Sequence, residues 1–140
     1  MGQAIPVKLS AQVHFWDTED VATWFDINGF KDFSQIGIDS CCDGRMLLLL
    51  TEDDLNSVFL MSNKFHRRKF MHDLTELRIR ADYSSEDLSN VAEWLGAIGR
   101  EFKQYAFNLI QAGVDQKFLQ HLTDQHLKID CQVRIRIMKS

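Results

Sequence analysis

The chain has 140 residues, 45% hydrophobic and 26% charged, with 16 Lys and Arg against 20 Asp and Glu for a net charge of −4. That balance excludes a disordered tail and a domain built mainly to neutralise phosphates, since non-specific nucleic-acid affinity rests on clustered Lys and Arg. The longest dense apolar run, residues 46–50, falls far short of the roughly 20 residues that span a bilayer, so no membrane insertion is expected.

A single proline and seven glycines suit helices joined by short turns and not a hairpin-rich sheet, so the predicted class is all-α. Residues 1–12 show no period and contain Gly2 and Pro6; they read as a leader or linker. Met1-Gly2 does not make a myristoylation signal, because Pro6 stands where that motif needs Ser or Thr. Asp17-Thr18 is placed to cap a first helix carrying Val21, Trp24 and Phe25, ended by Asn28-Gly29 with Gly29 suited to a left-handed position. Phe30 and Phe33 continue the apolar face into a second helix, Asp43-Gly44 marks a turn, and residues 46–50 form a short third helix too rich in Leu for a surface. Thr51, with Asp54 three residues on, is an N-cap pattern that opens a fourth. After Ser62-Asn63, the residues Phe65, Phe70, Met71, Leu74, Leu77 and Ala81 predict a long amphipathic fifth helix.

The same order then recurs. Val21-Ala22-Thr23-Trp24-Phe25 matches Val91-Ala92-Glu93-Trp94-Leu95 at an offset of 70, and Met46-Leu47, Leu50-Thr51 and Leu55 match Phe118-Leu119, Leu122-Thr123 and Leu127 at an offset of 72. Two homologous five-helix modules are therefore expected: residues 13–82, a short rigid linker at 83–88, and residues 89–140. The linker holds Ser84 and Ser85 but neither glycine nor proline, and it is too short for a free tether. Three cysteines, Cys41, Cys42 and Cys131, form neither a disulfide framework nor a paired metal knuckle, which fits a reduced, cytoplasmic compartment.

The run from Trp16 through Val21, Trp24, Gly29-Phe30, Asp43-Gly44, Leu47-Leu48, Leu50-Thr51-Glu52, Asp54-Leu55 and His66-Arg67 to Lys69 resembles the signature of the SAM (sterile alpha motif) family. The junction Ala81-Asp82-Tyr83-Ser84, followed by Asn90-Val91-Ala92-Glu93-Trp94-Leu95-Gly96 and Phe102-Lys103-Gln104-Tyr105, is similar to the tandem SAM region of SARM-type proteins. The resemblance implies a homo-oligomerisation scaffold whose head-to-tail contacts close an octamer-like ring. The ring would cluster NAD-cleaving TIR domains that lie outside these residues, in a signalling protein of neurons and innate immunity linked to a MAP-kinase-cascade kinase. Two departures stand out. Gln116 replaces a turn glycine, and after Cys131 the sequence Gln132-Val133-Arg134-Ile135-Arg136-Ile137 implies that the second module's last helix is short or altered.

The residues themselves point the same way. Asp39, Asp43, Glu52, Asp53 and Asp54 gather around helices two to four, while Lys64, His66, Arg67, Arg68 and Lys69 cluster at the start of helix five. Such segregation permits docking of one copy's basic helix end on the acidic middle of the next, a contact that generates a ring or a filament. Positive charge at a helix N-terminus opposes the helix dipole, so this run carries a local cost. The competing reading of each run is solvated surface, since exposed ion pairs contribute little. Readings from other classes are an RNA-hairpin-binding module using Lys64, Arg67, Arg68 and Lys69, and a monomeric adaptor for another SAM protein. Trp24, Trp94, Leu47, Leu50, Leu119 and Leu122 are assigned to the core. His66 and His72 are six apart and His121 and His126 five apart, neither being the four-residue spacing that sets two ligands on one helix face. With no phosphate loop, Ser-x-x-Lys or nucleophile elbow in the sequence, neither catalytic residue nor cofactor is expected in this chain.

Overall fold

A computed structural model describes residues 9–114 and 117 and divides the chain into two compact units, Met1–Tyr83 and Ser84–Ser140. All regular elements among the described residues are helical.

The first unit holds α1 (Thr18–Ile27), α2 (Ser34–Asp39), α3 (Gly44–Leu49), α4 (Glu52–Ser57) and α5 (Lys64–Arg80), with single 3-10 turns at Val13–Phe15 and Lys31–Phe33. The helix starts follow from local chemistry. The Asp17 carboxylate accepts the Asp20 N–H at 2.8 Å while the Asp20 carboxylate accepts the Asp17 N–H at 3.1 Å, a reciprocal cap for α1. Thr51 and Asp54 repeat the device at α4, Asp43 caps α3 through the Met46 N–H, and Asn63 caps α5 through the N–H groups of Phe65 and His66. Gly29 ends the first helix with φ +87°, as its position after Asn28 predicts.

These helices close on an aromatic centre. Phe70 of α5 meets Trp24, Phe25 and Phe30 edge-on at centroid distances of 5.6, 5.3 and 4.9 Å, and Phe25 also faces Phe59 at 5.7 Å. Leu47, Leu48, Leu55, Met61 and Leu74 complete the core. Arg78 of α5 donates to the carbonyls of Leu48 (2.9 Å) and Leu50 (2.7 Å), satisfying groups that the end of α3 leaves free. The entry and exit of the unit are stapled together. Ser10 O accepts the Trp16 indole N–H at 2.8 Å, and Ala11 O accepts the Asp82 N–H at 2.8 Å, so the end of the segment read as a leader is tied to the bundle.

Two expectations need correcting. Met46 and Leu49, read as part of a helix too apolar for a surface, are 48% and 42% exposed, because a six-residue helix buries only the side holding Leu47 and Leu48. Phe65, read as part of the buried stripe of α5, is 68% exposed. It lies five residues before Phe70, which at about 100° per residue turns it well away from the row Phe70, Leu74, Leu77.

In the second unit, α6 (Val91–Ile98) leads through a 3-10 segment, Arg100–Tyr105, to α7 (Ala106–Gln111), which Gly113 ends at φ +77°. Asn90, in the left-handed region at φ +55°, gives α6 no side-chain cap. The buried Asp87 carboxylate supplies it from farther back, accepting the N–H groups of Val91 (2.7 Å) and Ala92 (2.8 Å). Val91, Leu95, Phe102, Ala106 and Phe107 are buried, while Trp94 is only half-buried. The expectations placed on Leu119, Leu122, Leu127, His121, His126, Cys131 and the altered tail lie outside the described residues.

Candidate docking surface

The start of α5 brings five basic residues into one turn and a half, and the bundle uses them differently. Arg67 is drawn inward: its side chain is 17% exposed, its Nε donates to Glu52 Oε2 at 3.3 Å, and its Nη1 donates to the carbonyls of Met61 (2.8 Å) and Ser62 (2.9 Å). Lys69 is also engaged within the unit. Its ammonium donates to Asn28 O at 3.0 Å and Asp73 Oδ2 at 2.6 Å and sits 4.8 Å from the Phe30 ring centre. Lys64, His66 and Arg68 remain exposed. The Arg68 guanidinium lies 5.7 Å from the centre of the exposed Phe65 ring.

Beside them project apolar side chains that sequence reasoning did not assign to a surface. Leu60, 70% exposed, and Val58 occupy the α4–α5 turn, so this end of the first unit exposes them as well as Phe65, beside which Arg68 lies. The five-residue offset of Phe65 was a usable signal, but nothing in the pattern marked Leu60.

The acidic residues also divide. Asp43 and Asp54 spend a carboxylate oxygen on capping α3 and α4, and Glu52 pairs with Arg67. Asp39, at the end of α2, accepts from Gln35 Nε2 at 2.9 Å and stays exposed, as does Asp53 in the first turn of α4. These acids belong to the α2–α4 segment that also exposes Met46 and Leu49. The Arg67–Glu52 pair shows that the two charge clusters adjoin where α4 meets α5.

Other features offer little chemistry. Cys42 is buried, and burial first, then the charges of Asp43 and Asp54, push its thiol up to about 12, so it stays a protonated, weakly nucleophilic group. Cys41 is exposed. Among the described residues no three His, Cys, Asp or Glu side chains converge as a metal site, and no helix is long and apolar enough to cross a membrane. An open groove of about 470 Å³ runs between residues 9–13, α1 and α5, with Trp16, Trp24, Ile27 and Leu77 in its lining. Of the acids that also line it, Asp73 is bound by Lys69, and Glu76 lies 3.8 Å from Arg80.

Comparison with known proteins gives these surfaces a context. Two family profiles, both described as SAM domain (sterile alpha motif), match residues 14–78 and 83–136. The chain is 37% identical over 133 residues to "NAD(+) hydrolase SARM1" of Danio rerio, covering 95% of this chain and 19% of that protein. It is 32% identical over its whole length to "NAD(+) hydrolase sarm1" of Drosophila melanogaster, and 34% identical over 95% of its length to "NAD(+) hydrolase tir-1" of Caenorhabditis elegans. It spans only 11% and 14% of those two relatives.

Proposed function

Because the chain belongs to the sterile alpha motif family and carries two of its modules in tandem, we propose that it is a self-assembly element. The α4–α5 end of one copy docks on the acidic α2–α4 face of the next. The observation that carries the reading is the exposed pair Leu60 and Phe65, set among Lys64, His66 and Arg68. Leaving large apolar groups in water forgoes about 1.5–3 kcal/mol each relative to full burial, and a cationic rim selects an acidic, partly apolar receptor. Asp39, Asp53, Met46 and Leu49 supply one of that description. Asp43, Glu52 and Asp54 add negative potential while serving as cap or pair partners.

Head-to-tail contacts of this kind join donor and acceptor faces on every copy, so they propagate into a closed ring or a filament. Of the two, we take the closed ring, the form that the resemblance to SARM-type tandem modules implies. In a longer parent protein the ring gathers appended TIR domains, and the NAD hydrolysis named for the relatives takes place there and not in these two modules.

Light scattering across a protein and salt series tests the reading. The chain should form a discrete oligomer that loosens at high salt, and Phe65→Asp or Arg68→Glu should each weaken association by on the order of tenfold or more, about 1.4 kcal/mol, with helical content unchanged. Full assembly of the Phe65→Asp, Arg68→Glu double variant would sink it.

A further inference from the structure

Resting on that docking reading, we propose that Arg67 is a positioning residue, not a charge offered to the partner: it locks the 59–62 turn in the strained form that presents Leu60. The turn is unusual. Leu60 has φ +55°, the left-handed region that favours Gly and Asn and that crowds a Leu side chain against its own backbone. Its neighbours Phe59 and Met61 are each 1% exposed, so both flanks are anchored in the core and Leu60 is forced outward. Folding alone gives no reason for Leu there. Asn would fit the backbone better and water better.

The lock is Arg67. One guanidinium reaches three acceptors, Glu52 Oε2 and the carbonyls of Met61 and Ser62, the two residues that directly follow Leu60. The fork reaches all three at once, Nε toward Glu52 and Nη1 toward the two carbonyls, and Lys in its place brings the charge without that geometry. With its side chain 17% exposed and Glu52 beside it, Arg67 has little field left for a neighbouring copy. Strain held by surrounding bonds and spent on presenting a side chain is characteristic of binding sites. Arg67 and Arg68, adjacent and identical in sequence, thus do different work.

The test is a double-mutant cycle on the whole chain, read as self-association by light scattering with melting curves alongside. Leu60→Asn should keep or raise the melting temperature yet weaken assembly by on the order of tenfold. Arg67→Lys should weaken assembly severalfold with the charge unchanged and the salt dependence as in the wild type, whereas Arg68→Glu should flatten that dependence. Arg67→Lys added to Leu60→Asn should cost no further association, because no apolar side chain remains there to position. If Arg67→Lys does not fold, Arg67→Gln replaces it in the same cycle, with the melting curve as the check on folding. Additive losses, or an Arg67→Lys chain that assembles like wild type, would overturn the proposal while leaving the docking reading intact. A wild-type chain monomeric at every concentration and salt would remove both.

Discussion

At Gly44 the fold leaves no room for a side chain. A Cβ there would sit 1.7 Å from the Val13 carbonyl oxygen, and the Gly44 N–H donates to Trp16 O at 2.9 Å, so the start of α3 is pressed directly onto the Val13–Phe15 turn. The obstacle is backbone and cannot swing aside. Gly44→Ala should therefore destabilise the first unit by more than about 2 kcal/mol, read as an earlier urea midpoint for that unit, although Ala is intrinsically the better helix former. The sequence shows Gly44 only as half of a turn signal, because the atom it must avoid comes from 31 positions earlier in the chain. Arg67 and Arg68 repeat the lesson. Their charge is legible as one basic run, but which of the two turns inward depends on where the α4–α5 turn places the carbonyls of Met61 and Ser62.

Elements whose causes lie within a few residues of one another were legible. Asp17 with Asp20, Thr51 with Asp54 and Gly29 after Asn28 each set a helix boundary through contacts at most three residues long. Periodicity likewise found the row Phe70, Leu74, Leu77 on α5, but it does not say how much of a short helix is covered, and so Met46 and Leu49 were misplaced. The start of α6 was hidden for another reason. Its cap, Asp87, stands four residues before Val91, and a left-handed Asn90 folds the intervening chain back to bring the carboxylate over the helix end. Asp87→Ala should cost the second unit about 1–2 kcal/mol, since two helix-end N–H groups lose a buried acceptor together. Hydrogen exchange checks this: amides of Val91 and Ala92 should lose protection, while those of Asp20, Met46 and Asp54, capped within the first unit, should hold theirs.

For the molecule as a whole, a net charge of −4 means that copies repel at long range, so assembly depends on short-range complementarity. At physiological salt the screening length is about 8 Å, which mutes the overall repulsion while leaving contact-distance pairs at a partly desolvated interface effective. The docking reading then predicts a maximum of assembly at intermediate ionic strength: lower salt exposes the net repulsion, and higher salt screens the cationic rim around Phe65. It also predicts how assembly acts on an attached catalytic domain. Tethered copies meet at an effective concentration fixed by the tether, in the millimolar range for short linkers, and that gain does not depend on which module does the gathering. In a parent carrying NAD-cleaving domains, Phe65→Asp with Arg68→Glu should lower activity per chain. Replacing both modules with an unrelated coiled coil of matching copy number should restore it. If activity returned only with the native modules, they would have to act on the catalytic domains by contact; restoration by the coiled coil would leave proximity as their whole contribution.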